Sequence, residues 1–174
     1  CADAMDNERK GEKPMTDMLV KLYDLPALDP FLERARAAGV DVRRALPPEK
    51  HHILAWIRAH FGEAWVSEAD VACNAKPPTC FVAVRDGALL GFGCYDATGL
   101  GLFGPTGVDE AARGGGIGAT LLVACLHAMA ARGYFYAAIG GVGPKEFYAR
   151  TVGAVEIPDS TPGPYRGMLR DRDA

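Results

Sequence analysis

The stretch "ARGGGIGATLL", residues 112–122, decides the fold. Glycine fills four of the five positions from 114 to 118, directly behind Arg113, and the run passes straight into Leu121 and Leu122. A glycine in a helix interior costs roughly 1 kcal/mol against alanine. Glycines crowded where a helix begins therefore serve the turn that opens it. A helix N-terminus carries unpaired N–H groups and the positive end of the macrodipole. Stripped of side chains, such a turn lets an anion reach the backbone and makes a phosphate cradle, with Arg113 as a nearby cation. The same glycines also suit a turn needed only for tight packing. On the glycines alone, both readings stand.

The phosphate reading divides further. "GGGIGA" (114–119) satisfies the dinucleotide pattern G-x-G-x-x-G/A. That pattern also demands an acidic residue about 20 positions on, at the end of the next strand, to hold a ribose. The corresponding "YFYAAIGG" (134–141) carries no carboxylate, and the motif follows an antiparallel hairpin rather than a first strand. This argues against a nucleotide-binding oxidoreductase. A P-loop is excluded because no GK[ST] follows.

Outward from the loop, "GIGATLLVACLHAMAARG" (116–133) is predicted as an apolar helix and "YFYAAIGG" as the strand after it. Upstream, "TCFVAVRDGALLGFGCYDA" (79–97) reads as a hairpin around Asp86-Gly87, a dipeptide that tolerates the positive φ of a tight turn. "LGLFGPTGV" (100–108) is a third strand, in which Gly104, Pro105 and Gly107 predict a bulge or bend. "DPFLERARAAG" (29–39) is a helix with Asp29 as cap, "PEKHHILAWIRAHFG" (48–62) an amphipathic helix, and "EAWVSEADVAC" (63–73) a shorter one. "MLVKLYDLP" (18–26) and "VDVRRAL" (40–46) read as strands. "PKEFYARTVG" (144–153) is predicted as a helix, with strands at 154–158 and 165–169 after it. The order implies a mixed α/β domain with a parallel step across the central helix.

The bulk properties bound the function. The sequence has 174 residues, enough for one domain, with net charge −3 and no basic run, which disfavours a nucleic-acid partner. The uncharged run between Arg113 and Arg132 only reaches the lower length of a membrane span and holds glycines and His127, so no membrane partner is expected. The histidines are scattered apart from His51-His52, read as solvent-facing rather than metal-binding; no metal site is predicted. Five cysteines with no CxxC read as reduced thiols and predict a cytoplasmic protein. Residues 1–14 are read as a flexible leader and 15–174 as a single domain.

The stretch "VDEAARGGGIGATLL" (108–122) resembles the signature of the GNAT superfamily of acyl-CoA-dependent N-acetyltransferases: Arg or Gln, two variable residues, Gly, one variable residue, then Gly or Ala. Arg113, Gly116 and Gly118 fit it. Glu110 stands where the family usually has proline. "EFYARTVGA" (146–154) is similar to the family's later aromatic motif, with one more residue than usual between Tyr148 and Gly153. The resemblance covers residues 40–174, leaving 15–39 as an N-terminal addition. It implies a central mixed sheet, flanked by helices, whose two parallel strands splay to admit the pantetheine arm of acetyl-CoA.

The resemblance also implies a site. Val108, Arg113, Gly114, Gly115, Gly116, Ile117, Gly118 and Ala119 would hold the coenzyme, its pyrophosphate on the loop amides. Tyr148 would donate a proton to the departing thiolate. Family members use a glutamate on the strand before the loop, or a water there, as base. That strand has no carboxylate here, so Asp96 is the base candidate by topology, with Glu63, Glu68 and Asp70 also near the acceptor region. Trp65, Tyr95 and Phe103 are candidates to line the acceptor pocket. The expected activity is acetyl transfer from acetyl-CoA to a primary amine, small-molecule or peptide, by direct attack in a ternary complex. The alternative is a non-catalytic acyl-CoA-binding or sensor module. A homodimer stays open.

Overall fold

The computed structural model describes residues 16–169; the expected leader lies outside them. Seven strands form one sheet: β1 (Met18–Lys21), β2 (Asp41–Arg44), β3 (Cys80–Arg85), β4 (Ala88–Tyr95), β5 (Leu102–Val108), β6 (Tyr136–Ile139) and β7 (Val155–Glu156). The helices are α1 (Asp29–Ala37), α2 (Lys50–His60), α3 (Glu63–Asn74), α4 (Ile117–Ala131) and α5 (Lys145–Val152). The sheet order is β2-β3-β4-β5-β6-β1-β7, and β5–β6 is the parallel pair.

Local chemistry sets most of these elements. Asp86 and Gly87 turn the β3–β4 hairpin with φ of 51° and 78°, as two positive-φ positions require. α4 buries nine of its 15 residues, on all sides, so it is the core helix rather than a surface one. Its Leu122, Val123 and Leu126 pack with Val20, Phe103, Ile139 and Tyr148 on one face of the sheet. On the opposite face, Ile53 and Ile57 of α2 and Val66 and Ala69 of α3 pack on Val82, Phe92 and Cys94. Ala35 of α1 joins Ile117 and Leu121 of α4 over Ala83 and Leu90.

Two details depart from the sequence reading. Asp29 is the first residue of α1, not its cap; Leu28 holds that place without a side-chain hydrogen bond. The strand expected at 165–169 does not form. Its place beside β7 is filled by β1, which pairs Leu19 with Val155 and Met18 with Glu156. The chain there makes a short 3-10 turn, Gly163–Tyr165, and leaves Leu169 exposed. The segment before residue 40 thus supplies a strand inside the sheet and a helix on its core face.

The parallel pair is brief. β5 and β6 pair at Leu102–Ala138 and Phe103–Ile139 only, and from Gly104 onward β5 pairs with β4 alone. Between Phe103 and Thr106, β5 has three steps where β4, from Tyr95 to Gly93, has two. That is the expected bulge, with Gly104 at φ 125°. Beyond it the two parallel strands splay, and the gap opens toward the N-terminus of α4. Among the described residues, no helix is long and apolar enough to cross a membrane, and no cluster of metal-ligating side chains forms.

Candidate active site

Gly116 caps α4 in the left-handed region, φ 79°, a conformation that glycine adopts without strain. None of the amides from Gly114 to Ala119 donates a hydrogen bond to a described residue outside the helix, so they remain open to an anion. Three guanidinium groups line the same cleft. Arg113 is tethered, its Nε donating to Val108 O at 3.3 Å and its Nη1 3.4 Å from Glu110. Arg34 reaches in from α1, and Arg150 from α5 lines the same cleft. Neither has an acidic partner among the described residues. Thr120 Oγ1 donates to Phe31 O at 3.4 Å, tying α1 to α4.

These groups edge a cleft of about 800 Å³ that runs along β5 past Val108, Gly107 and Thr106 to Trp65 and Tyr148. Asp109 N–H donates to Leu90 O of β4 at 2.9 Å. Alternation along the strand therefore turns the Val108 N–H to the other edge, into the splay. The cradle, the arginines and an apolar wall fit the phosphates and arm of an acyl-coenzyme A: a β-carbon at Gly116 would stand beside Arg34, inside the cradle.

A second cavity, about 230 Å³, opens where the first ends. Trp65, Thr106, Pro144 and Tyr148 line both. The charged residue in the second wall is Glu68, whose carboxylate accepts a hydrogen bond from Thr98 Oγ1. Thus the larger cleft carries arginines and no acid, and the smaller one a carboxylate and no cation. Tyr148 sits at the junction, 7% exposed. Burial pushes its phenol up to about 12. Its hydroxyl makes no hydrogen bond to a described residue.

Residues 41–153 match the Acetyltransferase (GNAT) family. The chain belongs to the GNAT family. Solved GNAT structures share its fold. A GCN5-related glucosamine N-acetyltransferase region of a fungal multi-domain GH3 β-N-acetylglucosaminidase superposes with a TM-score of 0.69 at 17% identity, over 90% of this chain and 21% of that one. A GCN5-related N-acetyltransferase from Sphaerobacter thermophilus gives 0.62 at 22% identity, over 90% and 54%. A GCN5-related N-acetyltransferase-like protein from Streptococcus suis gives 0.54 at 12%, over 89% and 64%. This GNAT chain therefore spans less than two thirds of each of those chains. No curated protein matches the sequence.

Within the GNAT fold, the predicted residues separate into those at the cavities and those away from them. Val108, Arg113, Gly114, Gly116, Ile117, Gly118 and Ala119 line the larger cleft, and Gly115 is exposed on the same loop. Trp65 and Phe103 line the smaller cavity. Tyr95 and Asp96 line neither. Tyr95 is fully buried because its strand is covered on both faces, and its hydroxyl is 3.0 Å from Arg44 Nη1. The Asp96 carboxylate, 5% exposed, accepts from Gly101 N at 2.8 Å and Tyr134 Oη at 3.2 Å, and pairs with Arg132 at 3.3 Å. It closes a turn, and "DATG" (96–99), an aspartate before a glycine turn, is the signal for that role.

Of the three acids on α3, Glu63 pairs with Arg58 at 2.5 Å and Asp70 with Lys50 at 2.9 Å. Glu68 alone of the three reaches a cavity. Arg34, Phe61 and Arg150 were not legible as site residues. Arg34 lies before the matched family region, and nothing in its helix marks it.

Proposed function

We propose that this GNAT protein transfers an acetyl group from acetyl-CoA to a primary amine. The observation that carries the proposal is the division of charge between two cavities that meet at Tyr148. A cationic cleft with free helix N-terminal amides suits a polyanionic coenzyme, and an apolar pocket with one carboxylate suits an ammonium.

When bound, the coenzyme supplies an acetyl group activated as a thioester. The amides of Gly114 to Ala119, with Arg34, Arg113 and Arg150, hold its phosphates. The Val108 N–H, on the splayed edge of β5, is a strand donor that would be available to a developing oxyanion. Glu68 attracts the ammonium form of the acceptor, whose ordinary pKa is about 10, and is the carboxylate the pocket offers for the proton that the nitrogen must lose. As the C–N bond forms and the C–S bond breaks, Tyr148 donates a hydrogen bond to the departing sulfur.

The test is calorimetric titration of the protein with acetyl-CoA, with NAD as control, followed by thiol release over a panel of primary amines. Binding of acetyl-CoA alone and amine-dependent thiol release support the proposal. Binding without turnover on any amine would leave an acyl-CoA-binding module instead. No binding removes both.

A further inference from the structure

Phe61 is the residue at the C-terminal end of α2, and its ring lies against the backbone of β5. A β-carbon at Gly107 would stand 2.4 Å from the ring's Cζ and 2.6 Å from Cε2, so only glycine lets the ring settle there. Trp65, on the first turn of α3, stacks on Phe61 with centroids 4.8 Å apart and planes 26° apart. Behind them stands Phe92, fully buried, at 6.0 Å from Phe61 and 6.1 Å from Trp65, with Trp56 5.8 Å from Phe61. The four rings form a braced wall that has no flexible side chain to yield.

Phe61 and Trp65 line the larger cleft beside Gly107 and Thr106, and Trp65 also lines the second cavity. We propose that Phe61, stacked on Trp65, sets the length of the acyl group the protein accepts: acetyl fits beneath it, and longer straight chains do not. The inference rests on the acyl-CoA reading above. Phosphates on the cradle lead the arm along β5 past Val108, which sits beside the cradle, and put the acyl carbons farther along the strand, by Gly107 and Thr106, against the Phe61–Trp65 pair. A methylene forced into a site without room is discriminated against by roughly 10- to 200-fold.

The experiment compares acetyl-CoA with butyryl-CoA on the wild type, Phe61→Ala and Phe61→Leu. It reads the ratio of kcat/KM with one amine and, independently of any amine, the ratio of affinities by calorimetry. The wild type is expected to favour acetyl at least tenfold. Phe61→Ala is expected to move the ratio at least tenfold toward butyryl, with Phe61→Leu, which keeps more of the packing, moving it in the same direction by less. A wild type that handles both acyl groups equally, or ratios unchanged in both variants, overturns the proposal while leaving the acyl-CoA reading intact. A wild type that binds neither coenzyme overturns that reading, and this proposal with it.

Discussion

Arg34 crosses from α1 to the glycine turn that opens α4, so that a β-carbon on Gly116 would stand 3.8 Å from its Cδ and 3.9 Å from its Nη1. A guanidinium this near a row of free amides forms charge-assisted hydrogen bonds to a phosphate held there. Replacing Arg34 by Gln is expected to weaken acetyl-CoA binding about tenfold, a loss of ~1.4 kcal/mol. Because the side chain is exposed, the loss should shrink as salt rises. Calorimetry at two ionic strengths checks it, and an unchanged affinity at low salt would remove Arg34 from the site.

Gly116 carries two separable demands. Its φ of 79° costs a non-glycine residue roughly 1–2 kcal/mol, and its surroundings are cationic. Gly116→Ala should therefore lower thermal stability and weaken coenzyme binding modestly. Gly116→Asp adds a negative charge inside the cradle, while aspartate tolerates the left-handed region better than alanine. It is expected to abolish binding while unfolding at no lower temperature than Gly116→Ala. Acetyl-CoA bound by Gly116→Asp with wild-type affinity would refute the phosphate site.

What was legible in the sequence was what depends on near neighbours. The turn at Asp86-Gly87, the core helix α4 and the bulge at Gly104-Pro105 each follow from a few adjacent residues. The position of β1 does not. Val20 pairs with Ala137 and Leu19 with Val155 across most of the chain, and no local pattern encodes such a partner. The same non-local choice removed the strand expected at 165–169. The glycine turn that opens α4 was readable because glycines mark a backbone conformation. Asp96 as base was not borne out by geometry, because topology places a strand end but not the direction in which its side chain turns. Glu68 reaches the cavity through the rotation of α3, which the spacing of three acids on that helix leaves open.

Glu68 is the carboxylate in the smaller cavity, which the proposed function gives to the acceptor amine. Glu68→Gln keeps the shape and an acceptor for Thr98 Oγ1 but removes the charge. It is expected to lower kcat/KM for a cationic amine by about 10²- to 10⁴-fold and to leave acetyl-CoA affinity as it was. Steady-state kinetics beside calorimetry separates the two. A variant with wild-type turnover would return Glu68 to a surface role.

The contact between Gly107 and Phe61 predicts a coupled pair. Gly107→Ala drives a methyl into a braced ring and should cost about 1–3 kcal/mol of stability. In the Phe61→Ala background the ring that the methyl meets is gone, and the same change should cost less. A double-mutant cycle by denaturant unfolding reads the difference, and additive effects would show that the ring does not rest on β5.

Tyr148 keeps its proton at any pH the protein works at, because burial holds its phenol at about 12. Passing that proton outright to a thiolate of ordinary acidity, near 8.5, would be uphill by about 5 kcal/mol. Under the proposed function its role is then a hydrogen bond to the leaving sulfur, and Tyr148→Phe should cut turnover about 10²-fold while sparing coenzyme affinity. The same shift has a consequence for stability. Between pH 10, the ordinary tyrosine value, and pH 12, the folded protein binds more protons than the unfolded chain. Stability present below pH 10 is therefore lost as the pH rises toward 12, by on the order of 2–3 kcal/mol. Tyr148→Phe lacks that loss, so its unfolding midpoint should fall less steeply than the wild type's over this range. Parallel pH curves would mean the phenol is not held in the desolvated pocket, and wild-type turnover in the variant would take Tyr148 out of the chemistry.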